Sequence, residues 1–412
     1  MATIKPFQAV RPTRAIVGLV AARPYDSYTV EERQARMDYN PYTFLHIVNP
    51  GYKYDQVITG EQRYQLVRNR YLEFLEDGVF VKDNRPSFYV YKIVNRDKQE
   101  FNGFIAATST EDYKNNIIKK HEDTLSKREE LFKNYLKTVG FNAEPVLLTY
   151  PDNSSLTKII KDTQKKHAEF EFTMTYRDTH YLWKISDENT INKIEHLYKQ
   201  IPALYIADGH HRSASSFLLA QSEKLNYAAQ QGNESYNFFM SYLIPESNLI
   251  IHEFNRFVKD LNGLSKEEFL IKLDTFFRIE NRGSALYRPS KAHHFSMYLD
   301  GDYYSLYLRK TSYKFKTALD ELDAQVLYKT ILQPILGIHD LRDNDRLDYF
   351  HGRHDEFALK TKVDGSNYMV GFGLYPATVS QIKNIADEGL TMPPKSTYIL
   401  PKLRSGITVY EY

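Results

Sequence analysis

The sequence predicts a mixed α/β protein built from more than one domain, and three observations support this class. The chain has 412 residues, which is too long for one ordinary core. Short apolar runs alternate along it with segments whose apolar residues recur at helical spacing. Its content of 42% hydrophobic and 26% charged residues is normal for a globular protein. We divide it into an N-terminal α/β domain (residues 1–110), a central core (111–262) and a C-terminal α/β domain (263–412).

The first domain begins with loops, because prolines recur at positions 6, 12 and 24. Ser27 or Thr29, followed by two glutamates, predicts the N-cap of a helix that ends before Asn40. The apolar run 44–48, closed by Asn-Pro-Gly, predicts a buried strand. Helical spacing predicts a helix over 60–77, and a run of β-branched and aromatic residues predicts a strand over 87–94.

The remaining two domains follow from the same patterns. A charged helix is predicted from Ile117 onward, with Thr124 or Ser126 near its start and Gly140 at its end. Strands are predicted at 145–150, 181–185, 203–207, 238–244, 250–254, 294–298, 303–308 and 368–374. Helices are predicted at 154–169, 191–199, 213–225, 265–277, 318–336 and 378–388. Asp300-Gly301-Asp302 is predicted as a hairpin-type turn between the strands at 294–298 and 303–308.

Composition excludes several classes of function. Lys and Arg number 54 against 52 Asp and Glu, so we expect neither nucleic acid nor a membrane as a partner. Cysteine is absent, which removes disulfides, thiolate metal sites and Cys nucleophiles. The first residues do not form a charged segment followed by a long apolar run, and no stretch reaches the ~20 apolar residues of a membrane span. We expect a cytoplasmic protein whose ligands are small molecules.

The run Asp208-Gly209-His210-His211-Arg212 is the main candidate for chemistry. It stands between an apolar strand and a helix, where glycine permits a tight turn and the first helical amides are unpaired donors. Arg212 can bind two phosphate oxygens, the histidines add further donors, and Asp208 can hold Mg²⁺. An ordinary turn with solvated polar residues is the alternative, but so long a polar run in this position favours a phosphate site. Zinc is not expected, because adjacent His side chains diverge and no third ligand has a suitable spacing.

Two further segments carry groups suited to catalysis or substrate binding. Glu122, with His121 before it, is predicted at the head of the charged helix, where the helix dipole keeps a carboxylate ionised and able to accept a proton. The alternative is a helix cap or a solvated charged face. Lys395-Ser396-Thr397 lies in a loop stiffened by prolines and could bind a carboxylate or phosphate, or be a surface turn. Asn255-Arg256, after a predicted strand, is a weaker candidate.

Taken together, these motifs resemble those of an uncharacterised bacterial family with an Ala-Asp-Gly-His-His-Arg motif. The matching stretches span nearly the whole chain and are Lys5-Pro6-Phe7, Pro24-Tyr25-Asp26, Lys120-His121-Glu122, 205–212 and 392–398. From about residue 111 onward the chain also resembles the free L-serine kinases, which use ADP or inorganic pyrophosphate as phosphoryl donor. Those kinases have a ParB/sulfiredoxin-like core, so the resemblance implies such a core with added N-terminal and C-terminal α/β domains.

The resemblance to the kinases also implies roles for individual residues. Glu122 corresponds to the catalytic base, with His121 beside it, and Asp208 is a catalytic and metal-binding residue. The remaining phosphate-binding and substrate-binding candidates are Gly209, His210, His211, Arg212 and Ser213 for phosphate, and Lys395, Ser396, Thr397 and Asn255 for substrate. Ser213 stands where archaeal kinases carry a large aromatic residue, and no adenine pocket is evident, which favours pyrophosphate over ADP as donor.

The implied function is a Mg²⁺-dependent kinase that phosphorylates free L-serine to O-phospho-L-serine. Two alternatives stay open: a ParB-like switch that binds and hydrolyses a nucleotide, and a phosphoserine phosphatase. None of the common nucleotide-binding and hydrolase motifs occurs, including the Walker loop and the Gly-x-Ser-x-Gly elbow.

Overall fold

A computed structural model describes residues 1–226, 232–351 and 357–412. Its strands are, in chain order, β1 (Ile4–Lys5), β2 (Val10–Pro12), β3 (Phe80–Lys82), β4 (Phe88–Val94), β5 (Glu100–Ser109), β6 (Ile118–Lys119), β7 (Phe141–Asn142), β8 (Val146–Tyr150), β9 (Phe170–Thr173), β10 (Thr179–Ile185), β11 (Leu204–Asp208), β12 (Phe238–Pro245), β13 (Ile250–His252), β14 (Phe254–Val258), β15 (Phe277–Gly283), β16 (His294–Leu299), β17 (Asp302–Leu308), β18 (Leu347–His351), β19 (Val370–Gly373), β20 (Tyr398–Leu400) and β21 (Tyr410–Glu411).

The α-helices are α1 (Val17–Val20), α2 (Val30–Tyr39), α3 (Leu45–Val48), α4 (Gly60–Glu76), α5 (Thr110–Lys114), α6 (Ser126–Val139), α7 (Ser154–Gln164), α8 (Glu188–Tyr198), α9 (His210–Asn226), α10 (Lys266–Asp274), α11 (Asp323–Leu327), α12 (Ala358–Asp364) and α13 (Val379–Asp387). These elements confirm the mixed α/β class. Within the described residues, no helix combines the length and the apolar character that crossing a membrane requires.

The chain groups into two compact units. The first comprises Met1–Lys119, Thr124–Leu249 and Pro401–Tyr412, and the second comprises Lys120–Asp123 and Ile250–Leu400. This grouping differs from the predicted division at 110 and 262, since β5 of the predicted N-terminal domain pairs with β12 of the predicted core in one sheet. Sequence patterns show where strands occur, whereas hydrogen bonding between distant strands decides which of them share a sheet.

The first unit is built on a mixed sheet with the strand order β6-β11-β8-β12-β5-β4-β10-β9, and β1 pairs with β5. Most neighbours are antiparallel, but β11 runs parallel to β6 and β12 runs parallel to β8. Buried residues of α7 and α8, including Leu156 and Ile194, pack with sheet residues such as Phe104 and Leu148. A second buried cluster joins Val67 and Tyr71 of α4 to residues of α3, β3 and β7. Helix α9 packs against α6 and continues directly from β11.

The second unit contains an antiparallel sheet of strand order β15-β17-β16-β19-β14-β18 and a small pair, β13-β20. Strands β16 and β17 form the predicted hairpin, with Leu299 paired to Asp302. Asp300 and Gly301 both have positive φ angles, 51° and 83°, which the type I′ turn requires. In the small pair, β13 is antiparallel to β20. Strand β13 follows β12 in the chain, and β20 follows the Pro393-Pro394 loop.

Several predicted elements are confirmed, and others differ from the prediction. Thr29, with Glu32, forms a capping box at the start of α2. The strand predicted at 44–48 is the short helix α3, because a brief buried apolar run fits either structure and periodicity cannot separate them. The charged helix begins at Ser126, one of the two residues predicted near its start, but the charged pattern from Ile117 is not helical throughout, since 118–119 pair as β6. The long helix predicted over 318–336 is divided into a 3₁₀ turn, α11 and a π-helical segment at Tyr328–Leu332.

Candidate phosphate site and candidate catalytic segment

The Asp208–Arg212 turn of the first unit joins β11 to α9. Strand β11 ends in a bulge, since Ile206 pairs with Leu148 but Asp208 pairs with Leu147. Gly209 follows with a φ of 103°, a conformation that side chains with a Cβ rarely adopt. A Cβ at this position would lie 2.8 Å from Nε of Arg212. The backbone angle therefore favours glycine, and a Cβ here would also displace the Arg212 guanidinium.

Helix α9 begins at His210, earlier than the predicted start at 213. His210, His211, Arg212 and Ser213 consequently belong to its first turn, which is the positive end of the helix dipole. His210 is buried, while His211 and Arg212 are half-buried. Ser213 is fully buried, and its hydroxyl donates to the carbonyl of Gly209 at 3.2 Å. The Ser213 amide also donates to this carbonyl, at 3.0 Å, so both donor groups of Ser213 are directed at the backbone.

Arg212 is held between two carboxylates. Its Nη2 donates to Oδ2 of Asp208 at 2.9 Å, and its Nη1 donates to Oε2 of Glu144 at 2.9 Å. The hydroxyl of Ser405 donates to the other oxygen of Glu144 at 2.7 Å. The guanidinium is thus oriented by Asp208 and Glu144, and an incoming phosphate would exchange with one of these carboxylates.

Asp208 has a second cationic neighbour in Lys402, whose Nζ lies 3.4 Å from Oδ1. Desolvation raises the pKa of Asp208, but attraction to Lys402, Arg212 and His210 outweighs it and lowers the pKa below the ordinary value. The carboxylate therefore stays ionised at neutral pH. The Asp208 side chain is 42% exposed.

These features fit a Mg²⁺ ion at Asp208. Magnesium keeps several of its waters and is usually bound through one or two carboxylates together with substrate phosphates. An ionised and accessible carboxylate beside Arg212 meets that requirement. Glu144 is a second carboxylate at the same turn.

His121 and Glu122 belong to the second unit. The carbonyl of His121 accepts a hydrogen bond from the amide of Met392 at 2.8 Å, and the His121 side chain is fully buried. Asp123, next in the chain, accepts a hydrogen bond from the hydroxyl of Thr391 at 3.3 Å. The segment containing Glu122 is thereby attached to the residues that open the Pro393-Pro394 loop.

The prediction that Glu122 heads a helix is wrong. Helix α6 begins at Ser126 and its N-cap is Leu125, without a side-chain cap. Glu122, which is half-buried, precedes both residues and is neither a first-turn residue nor a cap. The helix-dipole argument for its ionisation therefore no longer applies, and its role as a base stays a prediction.

The loop at 393–397 has a fixed backbone shape. Lys395 has a φ of 54°, which is uncommon for a residue with a side chain, and its side chain is exposed. Nη2 of Arg256 donates to the Lys395 carbonyl at 3.1 Å. The hydroxyl of the buried Ser396 donates to the Pro393 carbonyl at 2.6 Å. Ser396 thus shapes the loop, whereas the Lys395 ammonium is exposed at its surface and Thr397 is half-buried.

Arg256 is a buried cation in β14. Burial lowers its pKa to about 10, although Tyr349 and Asp323 oppose this shift. Its guanidinium also donates to the carbonyl of Phe254. Neighbouring Asn255 is only 6% exposed and pairs within the sheet with Phe350. Asn255 and Arg256 therefore lie within β14 rather than after a strand, and Arg256, the weaker candidate from the sequence, holds the Lys395 loop.

Sequence reasoning missed Glu144 and Lys402. Glu144 precedes β8 and looks like an ordinary polar loop residue. Lys402 lies four residues after the 392–398 stretch of the resemblance, and that position is the only signal in the sequence. Both side chains reach the Asp208–Arg212 turn through tertiary contacts, which local patterns do not encode.

The fold and this turn define an α/β protein with an Asp-Gly-His-His-Arg junction between a strand and a helix. A family model described as "Protein of unknown function (DUF1015)" matches residues 4–325. The chain belongs to this family, as its motifs had indicated. No protein with a curated description matches the sequence.

Solved structures with some similarity include three that cover most of the chain. SbnI from Staphylococcus aureus, truncated at its C-terminus, is 12% identical, with a TM-score of 0.38 over 74% of this chain and 85% of that one. A free serine kinase in complex with AMP is 13% identical, with a TM-score of 0.34 over 70% and 88%. A conserved hypothetical protein from Pyrococcus furiosus is 12% identical, with a TM-score of 0.33 over 71% and 90%.

Proposed function

We propose that this protein is a kinase that transfers a phosphoryl group to the hydroxyl of free L-serine, with pyrophosphate or ADP as donor. The observation that carries the proposal is the Asp208–Arg212 turn. It combines a helix start, a left-handed glycine, a forked guanidinium and an ionised carboxylate at one strand end. Ligands of α/β sheets commonly bind beyond such strand ends.

Within this reaction, Arg212 binds two phosphate oxygens after exchanging a carboxylate partner. The N–H groups of His210 and His211 are at the positive end of α9 and stabilise the same negative charge. Asp208 would hold Mg²⁺, which would supply positive charge to offset that of the phosphates. Gly209 allows the guanidinium to lie close to the backbone.

Glu122 accepts the proton of the serine hydroxyl as its oxygen attacks phosphorus. A new bond forms between that oxygen and phosphorus, and the bond to the bridging oxygen of the donor breaks. Phosphate leaves if the donor is pyrophosphate, and AMP leaves if it is ADP. The backbone bond between Met392 and His121 supports this role, because it places the Glu122 segment next to the loop assigned to the substrate.

Lys395 attracts the carboxylate of the amino acid through its exposed ammonium group. Arg256 acts as a positioning residue, since it fixes the Lys395 carbonyl and hence the unusual backbone angle of the loop. Ser396 stabilises the loop through Pro393. Thr397 supplies a further hydroxyl to serine or to the transferred group.

The direct test is to incubate the purified protein with Mg²⁺ and serine and, separately, pyrophosphate, ADP or ATP, and to measure phosphoserine. Glu122→Gln should keep its melting temperature and lose about a hundredfold or more in turnover. Asp123→Asn, a neighbouring carboxylate in the same segment, should retain activity. Turnover near that of the wild type in Glu122→Gln would exclude Glu122 as the base.

Two other outcomes would replace the proposal. Release of phosphate from phosphoserine with no acceptor other than water, and no synthesis in either direction, would identify a phosphatase. Nucleotide binding and slow hydrolysis that are independent of serine would identify a nucleotide switch.

A further inference from the structure

A cavity of about 850 Å³ lies within the first unit and includes Arg212 in its wall. Helix α2, the start of α4 and the segment between them supply one side. Helix α6 and residues 141–144 supply the other. This volume is within the range of about 300–1,000 Å³ typical of small-molecule sites. Ser215, from the second turn of α9, lines it as well.

The cavity carries arginines without acidic partners. Arg33, Arg63 and Arg128 line it, and within the described part of the chain none of them has a carboxylate within ion-pair distance. Arg63 donates instead to the carbonyl of Val48 at 2.7 Å. Including Arg212, four arginines line the cavity, against three carboxylates, those of Asp26, Asp55 and Glu144. Guanidinium groups left without counter-ions at a cavity wall favour an anionic ligand.

Aromatic side chains form much of the remaining surface. The rings are those of Tyr25, Tyr52, Tyr64, Phe132 and Tyr135, and all are half-buried. Tyr64 and Tyr135 meet edge to face with ring centroids 5.3 Å apart. At the rim, Val57 is 96% exposed and Leu131 is 52% exposed. Aromatic and apolar surfaces of this kind bind a planar ring rather than a bare inorganic anion.

The motif Pro24-Tyr25-Asp26, which the proposed reaction does not use, also lines the cavity. Tyr25 lies under Arg33, whose guanidinium carbon is 4.0 Å from an aromatic centroid. One wall therefore presents a ring and a cation together, and another presents Arg212. The aromatic surface that the sequence did not reveal is supplied by residues 24–64 together with Phe132 and Tyr135 of α6, all far in the chain from the phosphate motif.

We propose that this cavity binds a nucleoside phosphate, with its base among the tyrosines and its phosphates bound by Arg33, Arg128 and Arg212. The inference rests on the proposed function only in taking Arg212 as a phosphate-binding residue. It assigns residues 24–64 to ligand recognition and makes a nucleotide, rather than pyrophosphate, the ligand that fills the site.

Equilibrium binding to the full chain tests this without requiring turnover. ADP, adenosine and pyrophosphate are titrated separately by calorimetry in the presence of Mg²⁺. ADP should bind more tightly than either of its parts. Arg33→Gln and Arg128→Gln should each lower the affinity for ADP by about tenfold, because each removes one charge-assisted hydrogen bond. Arg36→Gln, on the same helix as Arg33 but outside the cavity, should leave affinity unchanged.

A separate variant tests the aromatic surface of the cavity. Tyr64→Leu keeps an apolar side chain but removes the aromatic ring. It should therefore lower the affinity for ADP and for adenosine by about tenfold and leave the affinity for pyrophosphate unchanged. Melting temperatures of all variants establish that they are folded. Undetectable ADP binding, or ADP affinity that is equal in wild type, Arg33→Gln, Arg128→Gln and Tyr64→Leu, would overturn the proposal.

The two proposals fail in distinguishable ways. If ADP binds as described and no phosphoserine forms from any donor, the cavity assignment stands and the reaction is wrong. If phosphoserine forms from pyrophosphate and ADP does not bind, the reaction stands and the cavity assignment is wrong.

Discussion

Nζ of Lys402 lies 3.4 Å from Oδ1 of Asp208, although 194 positions separate the two residues. The last segment of the chain returns to the first unit, where β21 pairs with β7 and the amide of Val409 bonds to the carbonyl of Val10 at 2.8 Å. This return places a cation beside the carboxylate that ends β11. The charge state of Asp208 therefore depends in part on a residue close to the C-terminal end of the sequence.

Replacing Lys402 with Met should shift the pH dependence of activity. Lys402 helps to lower the pKa of Asp208, so its removal raises that pKa. If ionised Asp208 is needed, activity is lost as pH falls through its pKa, and the acidic limb of the pH–rate profile should move to higher pH. The profile of phosphoserine formation measures this. Lys193→Met, at an exposed lysine of the same unit, serves as the control, and an acidic limb that is unchanged in Lys402→Met would exclude Lys402 from this role.

Replacing Glu144 with Gln should strengthen phosphate binding. Gln can still accept the hydrogen bond from Arg212, but the negative charge that competes with phosphate is removed. We expect pyrophosphate to bind about fivefold more tightly, corresponding to roughly 1 kcal/mol for one screened charge pair. Calorimetry measures the affinity, with Glu188→Gln as an exposed control. Weaker binding in Glu144→Gln would mean that Glu144 orients Arg212 rather than competing with its ligand.

Gly209→Ala should lower stability and phosphate affinity more than a Gly→Ala substitution at another position with a positive φ. The positive φ alone costs about 1–2 kcal/mol, and the added Cβ would meet the Arg212 guanidinium at 2.8 Å. Gly78→Ala is the matched control, since its φ is 69° and a Cβ there meets nothing within 4 Å. Urea unfolding and phosphate affinity are measured for both. Equal losses of stability with unchanged affinity would show that the contact with Arg212 is not needed.

Asp323→Asn should change how the stability of the protein depends on pH. Burial raises the pKa of Asp323 from 3.8 to about 7, despite hydrogen bonds from the amides of His293 and Tyr375 and attraction to Arg256. Between these values the folded state retains a proton that the unfolded state has lost, so the stability of the wild type falls as pH rises.

The unfolding free energy of the variant relative to the wild type should therefore increase by about 1.4 kcal/mol per pH unit from pH 4 to 7. Urea unfolding at several pH values provides the measurement, and the exposed Asp343→Asn is the control. A difference between the variant and the wild type that is independent of pH would mean that Asp323 is ionised throughout.

Strong local signals predicted much of the structure. The capping box at Thr29 and Glu32, the hairpin turn at Asp300-Gly301 and the helix end at Gly140 each depend on residues adjacent in the chain. The Asp208–Arg212 turn was found for the same reason, because an apolar strand, a glycine and a helix are consecutive there. Where a short apolar run was ambiguous, as at 44–48, prediction failed.

The partners of the candidate site could not be predicted in this way. Glu144 and Lys402 are ordinary charged residues until the sheet and the returning C-terminal segment bring them to Arg212 and Asp208. The sequence predicted only that Arg256 follows a strand. Packing in the tertiary structure buries Arg256 and brings it to the Lys395 carbonyl. The position of Glu122 before the helix was likewise decided by the pairing of β6 with β11.

The sequence by itself determined the mixed α/β class, the family and the residues of the Asp208–Arg212 turn, since all three are expressed in contiguous motifs and short periodic segments. The tertiary structure alone decided the strand order, the carboxylates and lysine around the turn, and the cavity that residues 24–64 form beside Arg212. Those features arise from contacts between segments far apart in the chain. Their free energy depends on burial and charge in three dimensions, and a local pattern of residues does not contain that information.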